Sequence, residues 1–279
     1  MVDKALISQR TLKYIAYISM VMDHLGIMLN RHELISGEVY AIMRGVGRLA
    51  FPLFLFLLVQ GAVYTKSTPK YSGRMALFAI ISEVPYDLFS RNEFFSLRRQ
   101  NIYFELLACL ILIVLLNRFL PCNGLGCGFQ GKGLAPRDGG DSSQELSQDV
   151  DFCPAYIVFF TVVMCIPAYF LHFLYGYKGV VATAFMYKFV QERNLFEKTD
   201  KGSDRLLTKH QIMGILYLCL ACGALLFRSS KSQIACFLVV PLIFFSSNQY
   251  TKQSKGMQLF FYLIYPLHLI ILFLIGKVI

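Results

Sequence analysis

Apolar residues in this chain form long continuous runs separated by short polar breaks. About nine of these runs approach the roughly 20 residues that a helix needs to cross the hydrocarbon core of a bilayer. The runs are continuous rather than alternating, and a helix satisfies its own backbone groups in lipid. The pattern therefore predicts an all-α, polytopic membrane protein with about nine transmembrane helices. The predicted spans are Leu12–Leu29, Leu49–Tyr64, Arg74–Phe89, Ile102–Leu120, Ala155–Leu174, Gly179–Val190, Leu206–Phe227, Gln233–Phe245 and Met257–Val278.

The composition agrees with this class. Of 279 residues, 56% are hydrophobic and 16% are charged, with a mean hydropathy of +0.54, whereas a soluble domain carries roughly a quarter charged residues. The net charge of +10 does not indicate nucleic-acid binding, because Lys and Arg fall between the apolar runs and form no dense stripe. The expected partner is the lipid bilayer.

The basic residues also predict an orientation. If the N-terminus is inside, the cytoplasmic connections carry the excess of Lys and Arg, so we expect a cytoplasmic N-terminus. The segment Cys122–Asp151 is rich in Gly, Ser, Gln and Asp, which is typical of a flexible loop. We therefore predict one integral-membrane domain over residues 1–279, interrupted by a loop at about 122–153.

Two ionisable residues lie side by side within the first predicted span. Asp23 and His24 follow about a dozen span residues, which places them roughly 15–20 Å from its start. An ionisable residue inside a span is costly and is therefore a candidate functional residue. Histidine suits proton transfer near neutral pH, and a nearby carboxylate can hold its tautomer. The alternative is a polar clamp between helices.

A second polar group precedes the next span. Arg44 and Arg48 are four residues apart, so on one helix they share a face, and guanidinium groups bind phosphate or carboxylate well. Gly45 and Gly47 allow close approach of backbone or ligand. The alternative for this stretch is a topology anchor with ordinary helix packing.

Further polar residues fall within or beside the other apolar runs. Glu83, Glu105 and His268 are candidates for a shared cavity, and Glu83 is also a candidate counter-ion for Arg48 or Arg74. His172 is expected at an interface. No metal site is predicted, because the histidines fall in separate spans without ligand spacing.

Several blocks of the sequence resemble the TraX family of multi-pass membrane proteins, which is named for acetylation of the N-terminus of F-type pilin. The blocks are LKYIAYISMVMDHLG, GRLAFPLFLFLLVQGAVYT, YSGRMALFAIISEVPYD, QNIYFELL, YGYKGV and FYLIYPLHL. The match covers Leu12–Leu120 well and is thinner near Tyr175–Gly179 and Tyr262–Leu269. The family is in turn similar to membrane acyltransferases that use a coenzyme A thioester and carry a histidine in an early span.

The resemblance implies an acetyl-CoA-dependent acyltransferase of the bacterial cytoplasmic (inner) membrane. Its acceptor would be an amine of a membrane-associated or exported peptide, such as a pilin-like N-terminus. It implies that His24 is the general base, oriented by Asp23. Arg48, with Arg44, would bind donor phosphates or support the oxyanion, and Tyr64 and Arg74 would bind the donor near the cytoplasmic face. The sequence departs from the family at Phe173–Leu174, where an acidic residue is expected, and in the Cys122–Asp151 loop.

Two other functions fit the same residues. One is an O-acetyltransferase acting on a cell-envelope glycan or lipid. The other is a proton-coupled secondary transporter, since intramembrane Asp, His and Arg residues suit that function too. Against a transporter, no paired broken segments occur in matching halves of the chain.

Overall fold

A computed structural model of the protein describes residues 7–65, 67–119, 154–199, 208–247 and 254–279. The chain is helical through almost all of these ranges, which confirms the predicted all-α class. The predicted loop at about 122–153 lies outside the described residues. The helices are α1 (Gln9–Arg31), α2 (Gly37–Gly47), α3 (Ala50–Tyr64), α4 (Thr68–Arg91), α5 (Ile102–Phe119), α6 (Pro154–Phe170), α7 (Tyr177–Thr199), α8 (Lys209–Leu226), a 3-10 helix (Lys231–Leu238), α9 (Val239–Phe244) and α10 (Lys255–Val278).

Helices occupy all nine predicted positions within the described ranges. Among the described residues, five segments are long and apolar enough to cross a membrane, namely α1, α2 together with α3, α5, α8 and α10. Two shorter apolar stretches, 155–170 and 231–244, accompany them. The protein is therefore a membrane protein with several apolar helices, and α4 and α7 lie among these helices despite their charged ends.

The second predicted span begins within one residue of the expectation, at a short junction between α2 and α3. α2 ends at Gly47, Arg48 forms its C-cap, and α3 begins at Ala50. The Arg48 backbone N–H still donates to the Arg44 oxygen at 3.2 Å, and both arginines lie near Asp23. The expected shared helix face is therefore confirmed. Glycine lowers helix propensity by about 1 kcal/mol per residue, and the break falls next to one.

Helix α3 is the centre of the bundle. Apolar residues cover its whole circumference, which is typical of a fully buried helix, and most of its side chains are buried. It packs against α1, α5 and α7. Phe56, Leu53 and Leu55 are among its completely buried side chains. α3 therefore fixes where the surrounding helices stand.

Two glycines let α1 and α2 approach each other closely. A Cβ at Gly26 would lie 2.9 Å from the Cβ of Met43, and a Cβ at Gly47 would overlap the carboxylate of Asp23. At this crossing the Arg44 Nη1 donates to Asp23 Oδ2 at 2.5 Å. The two side chains are only 18% and 16% exposed, so the ion pair joins α1 to α2 in a largely apolar setting.

Two connections enter the bundle instead of staying at its surface. The Asn101 backbone N–H and side-chain amide both donate to Glu83 on α4, about 12 Å below the end of that helix at 1.5 Å per residue. The Tyr175 backbone N–H, between α6 and α7, donates to Glu105 Oε2 on α5 at 2.8 Å. Buried carboxylates thus satisfy loop backbone that would otherwise be unpaired within the membrane region.

We expect Gly47→Ala to lower the midpoint of thermal unfolding, because the added methyl group has to displace the Asp23 carboxylate. Overpacking of this kind costs about 1–3 kcal/mol. Gly73→Ala is a matched control in α4, where a Cβ would meet nothing within 4 Å. It should leave the midpoint unchanged or raise it. The unfolding midpoint of both variants is measured with a thiol-reactive dye that reports exposure of the buried cysteines. Equal midpoints would contradict the close approach of Gly47 to Asp23.

We expect Asp23→Asn and Arg44→Gln to be non-additive. Each single change leaves one charge of the pair without its partner, whereas the two amides of the double variant can bond to each other. Unfolding midpoints of the four proteins should give a coupling free energy of about 1–3 kcal/mol. Additive effects would show that the pair does not hold α1 to α2.

Candidate active site

The centre of the site is a pair of histidines from opposite ends of the chain. His24 Nδ1 on α1 lies 2.7 Å from His268 Nε2 on α10, a hydrogen-bonding distance. The His268 Nδ1 lies 2.8 Å from the backbone oxygen of Ile264, one turn earlier in α10. His268 is 7% exposed, whereas His24 is half-buried. The pair thus has a buried, fixed member and a more accessible one.

Aromatic rings enclose this pair. The ring of Phe89 on α4 lies edge-on to His24, with centroids 5.5 Å apart. The ring of Tyr265, one turn before His268, lies 6.4 Å from His24 and 5.6 Å from His268. Phe89 and Tyr265 are each almost fully buried. Their packing limits how far either imidazole can rotate.

A cavity of about 220 Å³ leads toward the pair from the end of the bundle where α1 begins. Its polar outer part comes from the ends of four helices. The residues there are Gln9, Arg10, Lys13, Tyr64, Thr65, Arg74 and Gln258. Its deeper part is apolar and aromatic, with Phe54, Leu58 and Met75 among the lining side chains. The cavity ends at Met20 and Tyr265.

Three cations line the outer part of this cavity. Arg10 and Lys13 come from the first turns of α1, and Arg74 comes from the second turn of α4. None of the described residues that line the cavity is acidic. An opening of this kind attracts anions such as phosphate groups, and the apolar interior behind it accommodates an uncharged chain.

A second cavity, of about 190 Å³, lies on the other side of the histidine pair. Its apolar lining includes Met28, Phe89 and Leu272. Its polar lining consists of Arg31, His32, Asn92 and Lys277, at the far ends of α1, α4 and α10. Arg31 Nη1 donates to the backbone oxygen of Phe89 at 2.7 Å, which ties α1 to α4 beside this cavity.

The helical repeat shows how closely the two cavities flank the pair. Met20 lies four residues before His24 and lines the first cavity, whereas Met28 lies four residues after it and lines the second. Four residues are about one turn, or 6 Å along the helix. On α10, Tyr265 and Leu272 bracket His268 in the same way. The pair therefore lies about one turn from the end of each cavity.

The side chain of Asp23 faces α2 and not the histidine pair. Its carboxylate binds Arg44 and does not bind the neighbouring histidine, since adjacent helical residues point about 100° apart. The expected orientation of His24 by Asp23 is therefore corrected: His268 is the hydrogen-bond partner of His24. Arg48 lies within electrostatic range of Asp23.

The predicted donor-binding residues separate into two groups. Tyr64 and Arg74 line the first cavity, whereas Arg44 and Arg48 line neither cavity. Arg48 interacts instead with the phenol of Tyr175, whose ring stacks on Phe51 with centroids 3.9 Å apart. The two arginines thus belong to a polar cluster around Asp23 rather than to the donor cavity.

The two remaining candidates, Glu83 and Glu105, bind backbone groups of connections between helices. Glu83 binds Asn101 rather than Arg48 or Arg74, so the expected counter-ion role is corrected. Glu105 is completely buried and receives the backbone N–H of Tyr175. Neither carboxylate lines either cavity. Both carboxylates hold connections in place. Of the three candidates for a shared cavity, only His268 contacts His24.

Sequence reasoning missed two of the cations that line the first cavity. Arg10 and Lys13 were interpreted as basic residues that set the orientation, yet both line the cavity. With Tyr17, they follow the spacing i, i+3 and i+7, which places them on one helix face. That shared face was a usable signal. Within the described ranges, no group of three or more His, Cys, Asp or Glu side chains could hold a metal ion.

Comparison with known proteins matches the chain to one protein family and to a fimbrial assembly protein. The sequence model described as "TraX protein" matches residues 8–120 and 151–276. The chain is also 34% identical over 116 residues to the probable fimbrial assembly protein FimC, serogroup H1, of Dichelobacter nodosus, an alignment that covers 38% of this chain. The chain spans about half of that relative, 46% of its length. No solved structure matches. Because the family match covers most of its length, the chain belongs to the TraX family.

Proposed function

We propose that this protein is a membrane-embedded acyltransferase that moves an acetyl group from acetyl-CoA to an amine of a membrane-associated or exported peptide. The observation that carries the proposal is the cavity with a cationic opening that ends one turn from His24. A coenzyme A thioester has the matching polarity, with phosphates at one end and an uncharged chain leading to the reactive carbon. The fimbrial name of the relative favours a pilin-like N-terminus as the acceptor.

The orientation predicted from the basic loops places the first cavity at the cytoplasmic end of the bundle. Arg10, Lys13 and Arg74 would then bind donor phosphates where acetyl-CoA is available. From Arg10 to His24 the rise along α1 is about 21 Å, which the extended arm of the donor would have to cover. The second cavity, at the opposite end, would admit the acceptor from the outer side.

The chemistry needs one base between the two cavities. The acceptor nitrogen attacks the acetyl carbonyl carbon while a ring nitrogen of His24 takes the proton of that nitrogen. The new C–N bond forms as the C–S bond breaks, and the proton then passes from His24 to the departing thiolate. One base can serve both steps because it gains and loses the same proton.

The alternative functions remain distinguishable. None of the described residues that line the second cavity is acidic, so it offers no carboxylate to hold an ammonium group. An unprotonated amine and a hydroxyl both fit such a lining, and the mass of the product separates them. A polar pair between two cavities also fits a proton-coupled transporter, which has no need of coenzyme A.

We expect His24→Ala to reduce acetyl transfer about 10²- to 10⁴-fold, the usual contribution of a general base. Detergent-purified protein is incubated with labelled acetyl-CoA and an amine-bearing peptide, and thioester loss and peptide mass are followed. His172→Asn is the matched control. His172 is exposed at the end of α6 with a backbone φ of 51°, a conformation that asparagine adopts readily.

Donor binding is measured in the same samples. Retained binding with lost transfer in His24→Ala supports the base assignment. Unchanged transfer in that variant would show that His24 is not the base. A wild type that neither binds coenzyme A nor consumes acetyl-CoA would instead favour the transporter.

We expect Lys13→Gln and Arg74→Gln each to weaken coenzyme A binding about 10-fold, because a hydrogen bond to a charged group contributes about 1.5–3 kcal/mol. Binding by the wild type should weaken as salt rises, and less steeply in each variant. Arg118→Gln is the matched control, since Arg118 is an exposed cation at the end of α5 and lines neither cavity. Equal weakening in all three variants would show a general charge effect and no specific phosphate site.

A further inference from the structure

We propose that His268 is a positioning residue that holds His24 in one tautomer, with its Nε2 lone pair available as the base. The catalytic consequence rests on the proposed acyl transfer, whereas the hydrogen-bond arrangement rests on geometry alone. The structure thereby replaces the orienting role expected for Asp23 with a neutral imidazole from the other end of the chain.

The contact with Ile264 determines which nitrogen of His268 carries the hydrogen. Its Nδ1 lies 2.8 Å from the backbone oxygen of Ile264, and a carbonyl oxygen only accepts hydrogen bonds. The Nδ1 of His268 therefore carries a hydrogen. A neutral imidazole carries one such hydrogen, so the Nε2 of His268 has a lone pair and accepts.

The tautomer of His268 fixes the tautomer of His24. Its Nδ1 lies 2.7 Å from His268 Nε2, so in the neutral pair the Nδ1 of His24 has to donate. The lone pair of His24 is then on Nε2, the nitrogen that does not face His268. His24 is the half-buried member of the pair, with both cavities about one turn away. The base is thus the accessible nitrogen.

The surroundings of the histidine pair favour a neutral resting state. The rings of Phe89 and Tyr265 pack against the pair, and burial among aromatic side chains disfavours a charged group unless it is paired. Among the described residues, neither histidine forms an ion pair with a carboxylate. Asp23, the nearest acid in the sequence, binds Arg44.

The hydrogen-bond chain also accounts for the proton during transfer. When His24 Nε2 takes the proton of the acceptor nitrogen, the resulting imidazolium still donates its Nδ1 hydrogen to His268 Nε2. The positive charge is stabilised by that acceptor and, through His268, by the carbonyl of Ile264. When the thiolate leaves, the Nε2 proton moves to sulfur and the pair returns to its starting tautomers.

The kinetic test compares two substitutions that differ in one respect. His268→Leu removes the acceptor for His24 Nδ1, whereas His268→Gln keeps a side-chain oxygen that can accept in its place. We expect kcat to fall about 100-fold in His268→Leu and to recover at least about tenfold in His268→Gln. The dissociation constant of acetyl-CoA should stay within about twofold in both, which separates positioning from binding.

Two kinetic results would overturn the inference. One is an unchanged kcat in His268→Leu. The other is a His268→Gln variant that folds and binds acetyl-CoA normally but has a kcat as low as that of His268→Leu. His172→Asn again serves as the control for a histidine outside the pair.

A spectroscopic test does not depend on turnover. Nitrogen-15 NMR of histidine-labelled wild type in detergent, assigned with single substitutions of the five histidines, should show His24 protonated at Nδ1. In His268→Leu that preference should be lost. A His24 protonated at Nε2 in the wild type would overturn the inference even if acetyl transfer is found. Protonation at Nδ1 without any acetyl transfer would leave the positioning intact and overturn the proposed function.

Discussion

The arrangement of this bundle depends on how two adjacent polar residues on α1 find partners among apolar helices. Asp23 and His24 point about 100° apart, so no single neighbour can serve both. Asp23 binds Arg44 from α2, and His24 binds His268 from α10. A buried polar group without a partner costs on the order of 1–3 kcal/mol, and more when it is charged. The two hydrogen bonds therefore favour one placement of α2 and of α10 around α1.

The same requirement explains the carboxylates that looked like parts of an active site. Glu83 and Glu105 accept backbone N–H groups from two connections that enter the bundle. Such backbone needs a partner inside the protein, because lipid supplies none. By fixing these connections, Glu83 sets where α5 begins and Glu105 sets where Tyr175 stacks on Phe51. Their contribution to the site is indirect.

The fold class was predictable from the sequence because continuous apolar runs have few alternatives in a membrane protein. The close approach of α2 to α1 was not, since the contact of Gly47 with Asp23 is a tertiary contact. His24 was found because an ionisable residue stands out in a span. His268 was a cavity candidate, but its pairing with His24 was not predicted, because the two residues are 244 apart in the sequence and no local pattern relates them. Arg10 and Lys13 were missed because a cation near a span end serves topology equally well.

Under the proposed acyl transfer, the two interpretations of the Asp23–His24 pair, a structural clamp and a catalytic pair, apply to different residues. Asp23 meets the structural description, since its carboxylate binds an arginine where the helices are in close contact, away from both cavities. His24 meets the chemical requirements, since it lies between the cavities and its hydrogen bond to His268 leaves one nitrogen unused. A carboxylate bound to His24 would hold the tautomer as well, but it would place an anion among Phe89 and Tyr265. A second imidazole gives the same orientation without that charge. The two functions can therefore lie on adjacent residues, because the helix points them at different partners.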